Sequence, residues 1–341
     1  MTDPSTPRAP AAGHATPIVT RHGPGIARIV VPLPFEWLRF VNAYVLSGDD
    51  GLTLIDCGTA TTAGYEHLVA GLDHLGFRLD DVSRVIGSHF HVDHIALANR
   101  LVAETGCDFV MHRSASERIV DYNDWALGAE RMSDLARDHG ASAAEVASLG
   151  VLPPRPDWAP HGILPNIPVE DGAEITITRD RSLRVIYTPG HDLAHICLVD
   201  SETGILFSGD HVLPRISPVV LVAADGSDAL ADYLHSLERV VDGDFGATLP
   251  AHGVTIPRGA DRARQIILHH RRRLDEVTDL TASEPRSGWE LMRAMFRPHL
   301  DTFQQRLAFG ETLAHTRYLL GRGLLEEIDD GGVIRYRSRR Y

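Results

Sequence analysis

The chain has 341 residues, long enough for a large buried core and about two domains, and its hydrophobic fraction of 43% is ordinary for a soluble globular protein. Its net charge is −13 and all 33 basic residues are arginine, which excludes Schiff-base chemistry and a P-loop lysine. No window carries the eighteen or so apolar residues of a membrane span, and residues 1–17, rich in Pro, Ala and Thr, contain no apolar signal segment; the expectation is a cytoplasmic protein with a disordered leader and no membrane partner.

Apolar runs predict strands over Ile26–Leu33, Asn42–Leu46 and Leu52–Ile55, the last releasing Asp56 into a turn with Cys57 and Gly58. A helix is expected over Ala60–Leu75 and another strand over Val82–Ser88. That strand runs directly into His89-Phe90-His91-Val92-Asp93-His94, four ligand-type side chains in six positions. Residues i and i+2 of an extended segment point to the same side, so His89 and His91 can reach one cation while the turn carries Asp93 and His94 toward another. Nineteen histidines make chance pairs common, but background does not readily add an acidic residue in register. A helix from Ile95 to Thr105 follows, with Gly106 as its stop, and then a strand over Asp108–Met111.

From Ser114 to about Leu152 the chain reads as helical and then as Pro-rich through Pro168, an insertion over about 114–168. Its Tyr122, Trp125, Met132 and Trp158 are read either as a wall over a cleft or as packing that holds the insertion to the body. Further strands are expected over Ile175–Thr178, Leu183–Thr188, His195–Asp200 and Gly204–Ser208. They frame three more deliveries at strand ends: Pro189-Gly190-His191, with His195 four residues on; Gly209-Asp210; and Pro250-Ala251-His252-Gly253. Sites in α/β proteins collect at such ends. Cys57, Cys107 and Cys197 have no CxxC spacing and read as reduced packing residues.

Beyond Pro257, helices are expected over Arg262–Leu280, Trp289–Phe296 and Phe303–Leu320, then a hairpin of Leu324–Ile328 and Val333–Arg337 around Asp329-Asp330-Gly331-Gly332. Three helices and a hairpin suggest a winged-helix-like domain over 257–341. This segment carries sixteen arginines against twelve acidic residues, opposite in sign to the preceding chain. Arg335, Arg337, Arg339 and Arg340 could meet phosphates, but the excess is modest and the whole chain repels a polyanion, so packing on the body or a homodimer contact is preferred to nucleic acid.

The order HxHxDH, later His191, Gly-Asp210 and late His252, with the early Asp56, resembles the metallo-β-lactamase superfamily over about residues 18–256. The resemblance implies a four-layer αββα sandwich with two divalent metal ions in a cleft at one edge of the sheets. It implies that His89, His91 and His191 hold the first ion, that Asp93, His94 and His252 hold the second, and that Asp210 bridges them. Asp56 would stand behind the ligands and orient them. His195 shares a frequent family spacing and is open between that role and a purely structural hydrogen bond. Zinc is the first expectation for ligands of this chemistry, with Fe or Mn also compatible.

Two cations about 3.5–4 Å apart would supply a bridging hydroxide for hydrolysis, with Asp93 taking the water's proton. The expected function is therefore hydrolysis of a small ester, thioester or lactone. The missing lysine disfavours antibiotic hydrolysis, since many true metallo-β-lactamases use a lysine for the drug's carboxylate. Glyoxalase II relatives share the ligand pattern but not the C-terminal hairpin. A β-lactamase-like endoribonuclease resembles the chain in its terminal domain and is the alternative enzyme. A mononuclear iron persulfide dioxygenase is opposed by the complete second ligand set, and a non-catalytic winged-helix sensor by the complete ligand sets as a whole.

Overall fold

The computed structural model describes residues 18–116, 125–151 and 165–339, with the side chains of 125–127 and 129 also outside the description. The expected leader, Tyr122, Trp158, Arg340 and the side chain of Trp125 therefore lie outside the described residues.

One sheet contains, in order, β1 (Val19–Gly23), β2 (Ile26–Pro32), β3 (Phe40–Gly48), β4 (Gly51–Ile55), β5 (Val82–Ile86), β6 (Asp108–His112) and β7 (Ile167–Val169). The first four pair antiparallel and the rest are added in parallel. The second sheet has the order β12-β11-β10-β9-β8, from β8 (Glu174–Thr178), β9 (Arg181–Tyr187), β10 (Ile196–Asp200), β11 (Leu206–Gly209) and β12 (Thr248–Pro250). Because β9, β11 and β12 all run the same way, their C-terminal ends share one edge.

Period-two alternation divides β3 between two cores: Val41, Ala43 and Val45 face one side, Tyr44 and Leu46 the other. On the inner side, Tyr44, Leu46, Ile55, Ile86 and Val110 pack on Val185, Ile196, Leu198 and Phe207 of the second sheet. On the outer side, the first sheet is covered by α1 (Thr62–Leu75) and α3 (Ala98–Thr105), through Leu68, Leu72 and Leu101. A single turn, α2 (Val92–Ile95), precedes α3, so the helix expected from Ile95 begins at Ala98. The outer face of the second sheet is covered by α6 (Ala229–Gly243), whose Tyr233 and Leu237 join Ile186, Cys197 and Leu206. The four expected layers are present.

The described part of the insertion forms α4 (Trp125–Asp138) and α5 (Ala143–Gly150). Its buried Ala136 and Leu149, with partly buried Met132, join the core formed by Trp289, Phe309 and Tyr336, so Met132 follows the packing reading rather than the wall reading. The C-terminal region contains α7 (Gly259–Leu280), β13 (Arg286–Ser287), α8 (Gly288–Met295), α9 (Thr302–Gly321), β14 (Leu325–Asp330) and β15 (Val333–Ser338). The three expected helices and the hairpin are all there, and β13 adds a third strand beside β15. Ser287 and Asp301 start α8 and α9 with reciprocal caps to Glu290 and Gln304. This region shares a continuous core with α6, Ile266 of α7 packing in the same cluster as Tyr233.

A buried ion pair ties the sheets together away from the site. Arg181 Nε donates to Asp200 Oδ1 at 2.6 Å, with the two side chains 5% and 0% exposed, while Arg181 Nη1 donates to the Pro24 carbonyl of the β1–β2 turn at 3.0 Å. Removing one member strands the other charge without water. Asp200→Ala is expected to lower unfolding free energy by about 3–5 kcal/mol in denaturant titration. Asp80→Ala, which deletes the exposed Arg78–Asp80 pair at 3.5 Å, is expected to change it by less than about 1 kcal/mol.

Candidate metal centre

The sequence places ligand-type residues just beyond β4, β5, β9, β11 and β12, and the sheet directions bring those ends to one edge of the sandwich. Ring nitrogens of His89, His91 and His191 cluster there, as do Asp93, His94 and His252. His89 Nε2 lies 2.8 Å from His91 Nδ1, and His191 Nε2 lies 3.2 Å from that same atom. In the other group, Asp93 Oδ2 is 3.5 Å from His94 Nε2 and 3.2 Å from His252 Nε2.

Asp210 stands between the two groups. Its Oδ1 faces His94 Nε2 at 3.7 Å and His252 Nε2 at 3.4 Å, and its Oδ2 faces His191 Nε2 at 3.8 Å. The turn that presents it requires a glycine. Gly209 has φ +49°, and a side chain there would bring Cβ within 2.6 Å of His195 Nε2 and 2.8 Å of Ser88 Cβ.

Hydrogen bonds from the opposite ring edges fix which nitrogen each histidine presents. His94 Nδ1 donates to Asp56 Oδ2 at 2.8 Å, His191 Nδ1 to the Val219 carbonyl at 2.7 Å and His252 Nδ1 to the Phe40 carbonyl at 2.8 Å. His89 Nδ1 meets Ser88 Oγ at 3.0 Å, and that hydroxyl donates its own proton to Asp56 Oδ2 at 2.9 Å. Four imidazoles thus present Nε2 lone pairs inward, with the backing that metal-ligating histidines usually have.

His94 Nε2, His252 Nε2 and Asp210 Oδ1 are buried and have no hydrogen-bond partner among the described residues, although they converge. The 3.2 Å approach of His252 Nε2 to Asp93 lacks hydrogen-bonding alignment. Buried polar atoms are rarely left so. A donor set of imidazole nitrogens and carboxylate oxygens, with inward lone pairs orphaned, fits a pair of divalent cations.

The electrostatics divide along the same line. Burial, reinforced by the neighbouring imidazoles, pushes His89 well below its usual range. Burial likewise takes His91 down to about 3. Burial opposes charge at His94 too, but Asp93, Asp56 and Asp210 outweigh it and hold that imidazole well above its usual range. Asp93 is buried, yet His94 and His252 keep its carboxyl well below the usual carboxylate range. The carboxylates around His94 and His252 attract positive charge, so cations and protons compete for the same atoms.

Asp56 and His195 both hydrogen-bond to residues of the cluster. Asp56 sits at φ +58°, a left-handed conformation that an aspartate tolerates better than most residues. Its Oδ1 accepts the Ser88 N–H at 2.8 Å. His195 Nε2 accepts the Asp210 N–H at 3.1 Å, and its Nδ1 meets Thr188 Oγ1 at 2.8 Å, so it holds the backbone of Asp210. Cys57 packs beneath the loop, its thiol donating to the His94 carbonyl at 3.2 Å and pushed well above its usual range by burial. All three cysteines are free and buried.

Ser88, Asn42 and Tyr44 are supports that the sequence reading does not name. Asn42 Nδ2 donates to the carbonyls of Pro250 and Gly253 at 2.8 and 3.1 Å, and the Tyr44 hydroxyl donates to Pro250 at 2.7 Å, fixing the loop that carries His252. An asparagine interrupting the apolar run of β3 is the available signal for the first of these. An exposed aromatic stack forms elsewhere: Trp37 is stacked between Phe35 and Phe303, with ring centroids 5.4 Å apart on either side. Trp37 precedes Phe40, whose carbonyl holds His252, by three residues.

Asp56→Ala would leave the Ser88 amide, the Ser88 hydroxyl and the His94 N–H without their acceptor. Such a loss of a supporting carboxylate is expected to weaken metal affinity roughly 10–100-fold, read as metal content of dialysed protein at graded free zinc. Cys57→Ser is expected to leave that affinity unchanged.

Residues 37–252 match the family described as the Metallo-beta-lactamase superfamily, and residues 274–339 match the Metallo-beta-lactamase-like, C-terminal domain. The "Probable metallo-hydrolase YqjP" of Bacillus subtilis is 24% identical over 324 residues, covering 92% of this chain and 98% of its own length. Among solved structures, a metallo-beta-lactamase family protein from Thermus thermophilus superposes with a TM-score of 0.76 at 29% identity, covering 93% of this chain and 99% of that one. A beta-lactamase domain protein from Burkholderia ambifaria superposes with a TM-score of 0.77 at 31% identity, covering 98% of this chain and 96% of that one. With the family match spanning the whole strand-end cluster and the likeness to solved structures running almost end to end, the chain belongs to the metallo-β-lactamase superfamily.

Proposed function

We propose that this metallo-hydrolase works with two divalent cations, zinc first among them, on a small ester, thioester or lactone. The observation that carries the reading is Asp210, whose two carboxylate oxygens face separate histidine groups. A single-ion oxygenase would leave Asp93, His94 and His252 without use.

Two cations held there supply Lewis acidity at the scissile carbonyl and lower the pKa of water. Among the residues of the chain, His89, His91 and His191 hold one side of the site and Asp93, His94 and His252 the other, while His195 keeps Asp210 aimed between them through its backbone N–H. Asp93 stays ionised at neutral pH under the influence of His94 and His252, which suits it to accept the proton of the attacking water. The Trp37–Phe303 stack offers an apolar face for an acyl group.

Support for a small substrate over RNA comes from the terminal arginines. Arg335 pairs with Glu290 and Asp330, each at 2.8 Å, and Arg337 and Arg339 both lie against Glu326. Cations already committed to carboxylates give little to a phosphate backbone. Among the described residues no helix is long and apolar enough to cross a membrane.

The test is metal analysis of the purified chain followed by ester, thioester, lactone and RNA panels. About two ions per chain are expected, with activity lost on chelation and restored by zinc. His89→Ala and Asp210→Ala are expected to abolish that activity, and Asp93→Asn to lower kcat by at least roughly 10²-fold. Trp37→Ala is expected to raise KM for long acyl chains more than for acetyl substrates. Activity that survives His89→Ala and Asp210→Ala would overturn the reading, as would one iron per chain with oxygen uptake on a persulfide.

A further inference from the structure

We propose that His269 and His270 of α7 and Glu311 of α9 form a site for a further divalent cation, separate from the dinuclear centre. Ligand atoms of the three side chains lie within 4.8 Å of one another, the same closeness that brings together the groups at the strand ends.

The hydrogen bonds around His270 fix its tautomer. His315 Nδ1 lies 2.7 Å from the Glu311 carbonyl, which can only accept, so Nδ1 carries the proton and Nε2 the lone pair. That Nε2 lies 3.1 Å from His270 Nδ1, which must then be the donor. His270 Nε2 is left as the acceptor; the Ser217 hydroxyl donates to it at 3.3 Å, a bond that a cation would displace. As at His191 and His252, Nδ1 is the donor and Nε2 carries the lone pair. The relay requires two neutral imidazoles. Burial, strengthened at His270 by its histidine neighbours, brings His270 to about 2 and His315 to about 4, which keeps both neutral.

His269 and Glu311 complete the group from the accessible side, both being only partly buried. Neither side chain has a hydrogen-bond or ion-pair partner among the described residues. Burial pushes the Glu311 carboxyl up to about 7 against the pull of Arg273, the behaviour of a carboxylate that lacks a close counter-charge. Burial and then Arg273, Arg262 and Arg272 lower the pKa of His269, which favours its unprotonated, ligating form. Two of these arginines are already held, Arg262 by the carbonyls of Leu213 and Ile216 and Arg273 by Glu276 and the Met295 carbonyl. Their charge still repels a cation, so the affinity of this site is expected to lie below that of the dinuclear centre.

The position gives such an ion a structural consequence. Ser217, beside His270, is two residues from Val219, whose carbonyl holds His191. A cation at α7 and α9 would brace the loop that orients a ligand of the centre.

Equilibrium dialysis of the full chain against graded micromolar zinc, with metal counted per chain, tests the proposal. His269→Ala and Glu311→Gln are each expected to bind one equivalent fewer than the wild type at saturation. Their tighter-binding equivalents should be unchanged, and zinc should raise the Tm of the wild type above that of either variant. Equal zinc content in all three proteins would overturn the proposal, as would stabilisation of the cluster by phosphate in place of zinc. Because the readout is a difference in metal count, it is independent of whether the strand-end centre hydrolyses an ester.

Discussion

The carboxylate of Asp56 is the fixed point around which the metal centre is assembled. One oxygen takes the Ser88 amide and the other takes the Ser88 hydroxyl and the His94 ring, so the end of β4, the loop after β5 and a ligand on α2 are joined at one buried group. Three donors on one carboxylate within a dry site are worth more together than three surface contacts, because no water competes for them. The left-handed backbone of Asp56 is the conformational cost of aiming it there. Through Ser88 Oγ the same group reaches His89, so both halves of the HxHxDH loop depend on a residue more than thirty positions earlier.

The second sheet is brought to that point by its own bonds to the first. The Ile196 N–H donates to the Ser88 carbonyl at 2.8 Å, and the Asn42 N–H to the Ala251 carbonyl at 2.7 Å. Packing alone is non-directional and would let two sheets slide. These directional bonds fix the register of one sheet edge against the other, which is what the separation between Asp210 and the histidines requires. His195 contributes by accepting the Asp210 amide, and Gly209 by leaving room for it to do so.

Much of this was legible from local pattern. HxHxDH could be read because a strand projects alternate residues to one side and a turn redirects those that follow. His191, Asp210 and His252 could be read because each follows an apolar run closed by Gly or Pro. The helices of the C-terminal region carried their own starts and stops. Less legible were the edge strand β1, which is short and half exposed, and β7, whose three residues are too few to show a period. Helix α6 carried a usable signal in the Asp228 cap and the spacing of Leu230, Tyr233, Leu234 and Leu237. The carbonyls of Val219 and Phe40 could not be read at all. Every residue has a carbonyl, and which one meets an imidazole is decided by the tertiary path of the chain.

The aromatic wall shows the same limit from another direction. A search for apolar substrate contacts in sequence favours the insertion between the first and second groups of ligands, where aromatic residues cluster. Of the residues considered there only the side chain of Met132 is described, and it packs into the core shared with the C-terminal helices; a separate exposed stack forms from Trp37, on the loop entering β3, and Phe303, at the start of α9. Those two residues are far apart in sequence and meet only because the C-terminal region shares its core with the body. The same packing places Ser217 against His270 and Val222 against Gly310, so the loop that orients His191 is held from behind by helices outside the sandwich. The C-terminal region thereby acts on the centre by fixing the backbone that its ligands lean on, with no side chain of its own among those ligands.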